Sequence, residues 1–155
     1  MKPLVKLIHW RTVEAQTHAR RLRAAGHAGT PLLKKLGIKP GLRVALLGMP
    51  KDFARKLDPL PEKVRLTDRV DVGTRLALWF VCTHREFDRG FARIVRLGAR
   101  MPVWVVSPKR SGLFATDLSQ NYIRAECLAA GLVDYKVCAL DAAWSGLLFR
   151  RRQLG

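Results

Sequence analysis

The chain has 155 residues, enough for one globular domain with a substantial hydrophobic core. Hydrophobic residues make up 48% and charged residues 26%, a composition that excludes a disordered chain. Lys plus Arg total 29 against 12 Asp plus Glu, so the formal net charge is +17. A charge this large favours a polyanionic partner such as nucleic acid, anionic lipid or an acidic protein, although a generally arginine-rich composition would give the same total.

The sequence also predicts where the protein resides. The longest uninterrupted apolar run, Leu76–Cys82, is far shorter than the ~20 residues of a membrane-spanning helix. No apolar stretch with a small-residue cleavage site follows the N-terminus, so we expect no secretory signal and no membrane insertion. The three cysteines are odd in number and lack C-x-x-C spacing, which fits a reducing compartment. We therefore expect a cytoplasmic protein.

Residues 1–29 are predicted to form a basic N-terminal arm. The stretch from Trp10 to Ala25 has few helix breakers, which favours a helix with a thin, alanine-rich apolar face. Trp10 could stack on a nucleobase, dip into a lipid surface or pack the arm back on the domain. The candidate nucleic-acid contacts are Trp10, Arg11, Arg20, Arg21 and Arg23 in the arm, and Arg150, Arg151 and Arg152 far along the chain.

Residues 30–152 are predicted to form a single α/β domain. Thr30-Pro31 has the residue types of a helix start, and Gly37 has the usual position past a helix end. The first predicted elements are a helix over 31–36, a buried strand over 43–47, a helix over 50–57 and a strand over 63–67.

The second half of the chain alternates strands with capped helices. The uniformly apolar run 76–82 predicts a central strand, and Thr83 with Glu86 fits a capping box for a helix that ends at Gly98. Next come a strand over 102–106 and a helix that starts in the capping signal 117–120 and ends at Ala130. Two strands over 133–140 and 144–150, joined by a hairpin, complete the predicted elements. This alternation predicts a Rossmann-like, mostly parallel sheet flanked by helices, with a C-terminal antiparallel hairpin.

Two blocks of the sequence carry a resemblance to known proteins. One is Thr30-Pro31-Leu32-Leu33-Lys34-Lys35-Leu36-Gly37-Ile38-Lys39-Pro40-Gly41, followed by Arg43-Val44-Ala45-Leu46-Leu47. The other is Gly131-Leu132-Val133-Asp134 with Lys136-Val137-Cys138-Ala139, then Asp141 and Trp144-Ser145-Gly146-Leu147. Together they resemble a small bacterial family catalogued as a domain of unknown function. The resemblance covers about residues 29–150 and implies no catalytic residues.

The layout more loosely resembles a class I methyltransferase shortened at its front. The block Pro40–Gly48 is similar to the first strand of such enzymes, and the final hairpin to their last strands. Those enzymes follow the first strand with a glycine-rich turn, whereas Gly48-Met49-Pro50-Lys51-Asp52 has one glycine. Asp68 lies where an acidic residue could hold a ribose. Because the glycine turn is missing, we expect no tight S-adenosylmethionine binding and no cofactor.

The predicted sheet suggests a second kind of anion site. Parallel sheets bind ligands at the carboxyl ends of their strands, where the loops 48–52, 82–85 and 107–112 are predicted to meet. The basic, hydroxyl-bearing loop 107–112 could hold a phosphate, although a solvated surface turn that happens to be basic is the slightly favoured interpretation. The candidate anion ligands at this edge are Lys51, His84, Arg85, Lys109, Arg110 and Ser111.

No catalytic or metal-binding constellation is evident. His9, His18 and His27 would face alternate sides of a helix, and Ser145 has no evident His and Asp partners. We therefore expect a non-catalytic Rossmann-like module that binds an anionic partner, most plausibly nucleic acid. Two alternatives remain open: an enzyme or sensor for a small phosphorylated or nucleotide ligand at the sheet edge, and a structural subunit for an acidic protein.

Overall fold

The computed structural model describes residues 31–110 and 116–153. The predicted N-terminal arm and Ser111 lie outside these residues. The chain divides into two compact units, Met1–Ala77 and Leu78–Gly155. In chain order the elements are α1 (Pro31–Leu36), β1 (Arg43–Leu47), a 3₁₀ helix (Lys51–Leu57), β2 (Arg65–Thr67), β3 (Leu76–Phe80), α2 (His84–Gly98), β4 (Val103–Pro108), α3 (Gln120–Ala129), β5 (Leu132–Ala139) and β6 (Trp144–Arg151).

The strands form a six-stranded sheet in the order β2-β1-β3-β4-β6-β5. The sheet is mostly parallel, β1 and β2 included, and the C-terminal strands are antiparallel: β6 lies between β4 and β5 and runs against both. The predicted α/β class and the antiparallel hairpin are therefore confirmed. Asp141 closes the hairpin, because its carboxylate accepts hydrogen bonds from the N–H groups of Ala143 and Trp144 at 2.7 and 2.8 Å.

The first unit has its described core between α1, the 3₁₀ helix and β1. Gly37 ends α1 with a φ of +81°, a conformation that favours glycine, and the N–H of Ile38 then bonds to the carbonyl of Leu33. The four apolar residues of β1 after Arg43 are all buried. The guanidinium of Arg43 reaches the carboxylate of Asp71 at 2.8 Å, which holds the loop before β3.

The second unit is built on β4, whose six residues are all buried. Trp104 on this strand has no exposed surface, and its ring packs on the backbone of Gly146 in β6. A Cβ at Gly146 would be 3.0 Å from the Trp104 ring, so the glycine makes room for the tryptophan. The aromatic rings of Trp79 and Phe87 stack at 5.5 Å between centroids and fix α2 to β3.

Several predicted elements differ from the structure in their bounds or type; the strand predicted over 63–67, for example, starts at Arg65. The strand predicted over 76–82 ends at Phe80, because the carboxylate of Glu86 accepts the N–H of Cys82 at 2.8 Å and removes it from the ladder. The helix predicted over 50–57 is a 3₁₀ helix. The strand predicted over 102–106 continues to Pro108, because β6 pairs with it as far as Trp144.

Candidate functional site

A row of arginines lies along the exposed face of α2. Successive members of this arginine row are four, four and three residues apart. On a helix of 3.6 residues per turn, their side chains therefore fall within about 80° of arc. At 1.5 Å per residue the row is about 16 Å long. All its members are exposed: Arg85, Arg89, Arg93 and Arg96.

The opposite face of α2 explains why the row faces water. Phe87 and Ile94 are at most 1% exposed, and Leu97 is 7% exposed. Phe87 and Ile94 lie on the far side of the helix from the arginines and Leu97 lies on the flank between the two faces, and all three are buried in the second unit. Burial of the apolar face therefore fixes the direction in which the row points.

The acidic residues of α2 are occupied elsewhere. Glu86 completes the capping box: its carboxylate accepts the N–H of Cys82, and its own N–H donates to the Thr83 hydroxyl at 3.1 Å. Asp88 accepts a hydrogen bond from the phenol of Tyr122 at 2.7 Å, which raises the pKa of Tyr122 to about 12. Within the described residues, no ion pair or side-chain hydrogen bond involves a guanidinium of the arginine row. Among the described residues, no ion pair therefore neutralises the charge of the row.

A second basic feature is a cavity of about 420 Å³ beyond the end of α2. Four arginines line this arginine cavity together with Gln153, the backbone turn after α2 and Met101 and Pro102, and none of its lining residues is acidic. The guanidinium of Arg150 lies 5.5 Å from the ring centroid of Tyr135, a cation–π contact. The four arginines are Arg100, Arg150, Arg151 and Arg152.

A third basic feature lies at the other end of β4. A cavity of about 380 Å³, here called the β4-end cavity, is bounded by the residues that follow β4 and the first turn of α3. Lys109 and Arg110 supply the cations, and the predicted sheet-edge pair therefore lines a real concavity. The amide of Gln120 donates to the Ser145 hydroxyl at 2.7 Å on its wall. The lining residues are Pro108, Lys109, Arg110, Leu118, Ser119, Gln120, Asn121 and Ser145.

His84 and Arg85 do not line the β4-end cavity. They are the first two residues of α2, and the N–H of His84 donates to the carboxylate of Asp117 at 2.9 Å. The imidazole of His84 packs on Tyr122 with 4.0 Å between ring centroids. Because Asp117 accepts the N–H of His84 and the Thr83 hydroxyl accepts the N–H of Glu86, these backbone groups are not open to an external anion.

The remaining predicted sites lie elsewhere. Lys51 is exposed at the start of the 3₁₀ helix and belongs to the first unit. In the loop before it, Gly48 has a φ of +71° and Met49 is only 2% exposed, so a buried thioether fills that turn. Of the predicted contacts, the following lie outside the described residues: Trp10, Arg11, Arg20, Arg21, Arg23 and Ser111.

Among the residues that the structure describes, Cys82, Cys127 and Ser145 show no activating base. Burial raises the pKa of Cys127 to about 12, and burial followed by the nearby Glu86 carboxylate raises that of Cys82 to about 11. The Ser145 hydroxyl contacts an amide rather than a general base. The raised pKa values keep the thiols of Cys82 and Cys127 protonated at neutral pH.

Sequence reasoning missed most of the arginine row. Only Arg85 was a candidate, and it was assigned to the sheet edge; Arg89, Arg93, Arg96 and Arg100 were not considered. The signal was present, because arginines at intervals of three and four residues within a capped helix share one face. The predicted C-terminal arginines come together with Arg100, which no sequence pattern relates to them.

No family model, curated protein or solved structure matches the chain. In the described residues no helix is long and apolar enough to cross a membrane. The same residues contain no cluster of three or more side chains able to hold a metal ion.

Proposed function

We propose that this protein is a non-catalytic module that binds nucleic acid through the phosphate backbone. The observation that carries the proposal is the arginine row, a set of guanidinium groups on one exposed helix face with no acidic partner in the described residues. Guanidinium groups match phosphate oxygens with two parallel hydrogen bonds and keep their charge at any physiological pH. A line of them about 16 Å long suits a polymer of regularly spaced phosphates better than a single small anion.

The type of contact also limits specificity. Phosphate contacts fix the position of a protein on nucleic acid but do not read its sequence. The α2 face that carries the arginine row offers no Asn or Gln for reading base edges. We therefore propose binding with little sequence preference and with strong dependence on salt.

A matched pair of triple variants tests the proposal. Arg89→Gln/Arg93→Gln/Arg96→Gln removes three charges from the arginine row and keeps most of each aliphatic stem. Lys39→Gln/Arg55→Gln/Arg65→Gln removes three charges from exposed positions of the first unit. By fluorescence anisotropy at about 0.1 M salt, we expect the row variant to bind a labelled duplex about five-hundredfold more weakly, because each of the three lost contacts lowers log affinity by about 0.9 at this salt concentration.

The control variant should lose less than about tenfold in the same assay, because none of its residues belongs to the arginine row and their replacement removes no proposed phosphate contact. Equal losses in the two variants would mean that only the total charge matters and that the row is not the binding surface. Absence of binding by the wild-type protein at low salt would end the nucleic-acid proposal altogether.

The β4-end cavity supports a second candidate function, a site for a small phosphorylated ligand. Lys109 and Arg110 meet the first turn of α3 there, and helix N-termini favour anions. Lys109→Ala/Arg110→Ala should abolish binding of a nucleoside phosphate, measured by isothermal titration, and leave duplex binding by the arginine row nearly unchanged. If the double variant instead lowers duplex binding as strongly as the row variant, the cavity belongs to the nucleic-acid surface.

The proposal also covers the fold type, the absence of a tight S-adenosylmethionine site and the cellular location. The position of β6 between β4 and β5, antiparallel to both, supports a Rossmann-like fold of the class I methyltransferase layout that the sequence resembles. The buried Met49 in the turn after β1 supports the absence of a tight S-adenosylmethionine site. The three cysteines form no disulfide, which supports a cytoplasmic location.

A further inference from the structure

The arginine cavity differs from the arginine row in shape, and this difference has a functional consequence. The row lies on the outer face of a helix, where any phosphate along a strand can approach it. The cavity has a volume of about 420 Å³, and its four arginines line it from the turn after α2 and from the end of β6. Pockets of a few hundred Å³ typically take small molecules or chemical groups of limited size.

The backbone around the cavity is held by hydrogen bonds. The N–H of Arg100 donates to the carbonyl of Leu97 at 2.8 Å, in the turn that follows α2. On the other side, the N–H of Arg152 donates to the carbonyl of Gly131 at 2.8 Å, and Arg151 pairs with Leu132 in the β5–β6 ladder. The guanidinium groups therefore extend from backbone positions on two segments of the second unit, the turn after α2 and the end of β6.

The charge in the cavity needs an anion of more than one charge. Guanidinium groups do not lose their protons, so like charges brought together by the fold repel until a counter-charge enters. An internal phosphodiester carries a single negative charge and is flanked by sugars on both sides. A terminal phosphate carries about 1.5 to 2 negative charges at pH 7 and offers three strong acceptor oxygens.

We infer that the arginine cavity binds the terminal phosphate of a nucleic-acid strand. The inference rests on the proposed function, since it assumes that the strand itself is held by the arginine row. The row runs along α2 toward the cavity, which begins at Gly98 and Arg100, so a strand bound along the row is directed with one end into the cavity. Arg100, Arg151 and Arg152 supply bidentate donors for the phosphate, while Arg150 is already placed over Tyr135.

The test compares oligonucleotides that differ only at their ends. Four labelled single strands of one sequence carry a 5′-phosphate, a 3′-phosphate, hydroxyls at both ends, or hydroxyls at both ends and one additional nucleotide. The last strand has the charge of an extra phosphodiester without a terminal phosphate. We expect one of the two phosphorylated strands to bind about tenfold more tightly than both hydroxyl-ended strands, measured by anisotropy at constant salt.

Two variants connect this preference to the cavity. Arg100→Gln/Arg152→Gln should remove the preference for the phosphorylated end, so that the phosphorylated strand and the longer hydroxyl-ended strand bind this variant equally. The row variant Arg89→Gln/Arg93→Gln/Arg96→Gln should weaken all four strands and retain the preference. All five substituted positions are exposed, and thermal unfolding monitored by circular dichroism verifies that both variants fold.

The outcomes separate this inference from the proposed function. Equal affinities of the phosphorylated strands and the longer hydroxyl-ended strand would overturn the inference, although the protein would still bind nucleic acid. A preference that survives Arg100→Gln/Arg152→Gln would overturn it as well, because the terminal phosphate would then bind elsewhere. If no strand binds at low salt, the proposed function fails first.

Discussion

Arginine is the residue on which the proposed surface depends. Its guanidinium remains protonated, donates five hydrogen bonds in a planar fork and loses little conformational freedom per bond formed, whereas a lysine ammonium is a point charge. Replacement of the arginine row by lysines would keep the charge and lose the fork geometry. The same residue type serves a structural role at Arg124, whose guanidinium is paired with Asp134 at 2.8 Å.

Cys82 illustrates how the surroundings of a side chain decide its chemistry. Burial and then the Glu86 carboxylate raise the pKa of its thiol to about 11, so about one thousandth of it is thiolate at pH 8. We expect iodoacetamide to modify Cys82 at least about a hundredfold more slowly than free cysteine, measured by mass spectrometry. The rate should continue to rise above pH 10, and a plateau near pH 9 would contradict the raised pKa.

The pKa of the Asp71 carboxyl is lowered, whereas that of the Cys82 thiol is raised. Partial desolvation raises the pKa of its carboxyl, but hydrogen bonds from the Gly73 N–H and the Thr74 hydroxyl and the bond and charge of Arg43 together lower it below its usual value. A carboxyl with a lowered folded-state pKa stabilises the protein above its unfolded pKa of about 4, and this contribution is lost as the pH falls through the folded pKa.

The variant Asp71→Asn tests this assignment by its pH dependence. At pH 7 it should unfold at a lower temperature than the wild type, because the Arg43 ion pair at 2.8 Å is lost. The difference between the two proteins should shrink as the pH falls below 4, where the wild-type carboxyl also becomes neutral. A difference in melting temperature that is constant from pH 7 to pH 3 would contradict a charged role for Asp71.

Helix α2 buries one face in the core and carries the arginine row on its exposed face. Gly90 of this helix lies close to Trp79 of β3. A Cβ at this position would be 2.6 Å from the ring atom Cζ2 of Trp79, which is stacked on Phe87. Gly90→Ala gains up to about 1 kcal/mol of helix propensity, but displacement of the ring costs about 1–3 kcal/mol. We expect a net loss of about 1 kcal/mol in the free energy of unfolding, measured by urea denaturation.

The exposed residue Ala92 on the same helix is the matched control. Ala92→Gly should lose about 1 kcal/mol from propensity alone. If propensity governed both positions, Gly90→Ala would stabilise the protein by a similar amount. A gain of stability in Gly90→Ala would show that the close approach of Trp79 is not required.

The elements were predictable where local signals agree with burial. The capping box at Thr83 and Glu86, the glycine end of α1 and the turn at Asp141 each act through neighbouring residues, and each is present in the structure. The end of β3 was placed too late, because apolar Val81 and Cys82 continue the pattern although the cap has already taken the Cys82 N–H.

The site was less predictable than the elements. The row could have been found from the spacing of arginines on one predicted helix, since that arrangement is local. The arginine cavity could not, because Arg100 and Arg152 come together only when β6 inserts between β4 and β5. Long-range pairing of strands leaves no periodic signal in the residues that it juxtaposes.

The protein carries positive charge in the N-terminal arm as well as in the arginine row. We propose that the two contribute unequally to nucleic-acid binding. The arm cations lie outside the described residues, whereas the arginine row belongs to a helix fixed by the core. Deletion of residues 1–25 should therefore weaken duplex binding and flatten its salt dependence without abolishing it. Complete loss of binding in the deletion variant, with the second unit still folded by circular dichroism, would shift the proposed surface from α2 to the arm.

The salt dependence of duplex binding tests the central claim most directly. For about six phosphate contacts, a plot of log affinity against log salt concentration should have a slope near −5 for the wild type. The slope should be about −2 to −3 for Arg89→Gln/Arg93→Gln/Arg96→Gln, because each lost contact removes about 0.9. A wild-type slope near zero, or a row variant with the wild-type slope, would contradict phosphate binding by the arginine row.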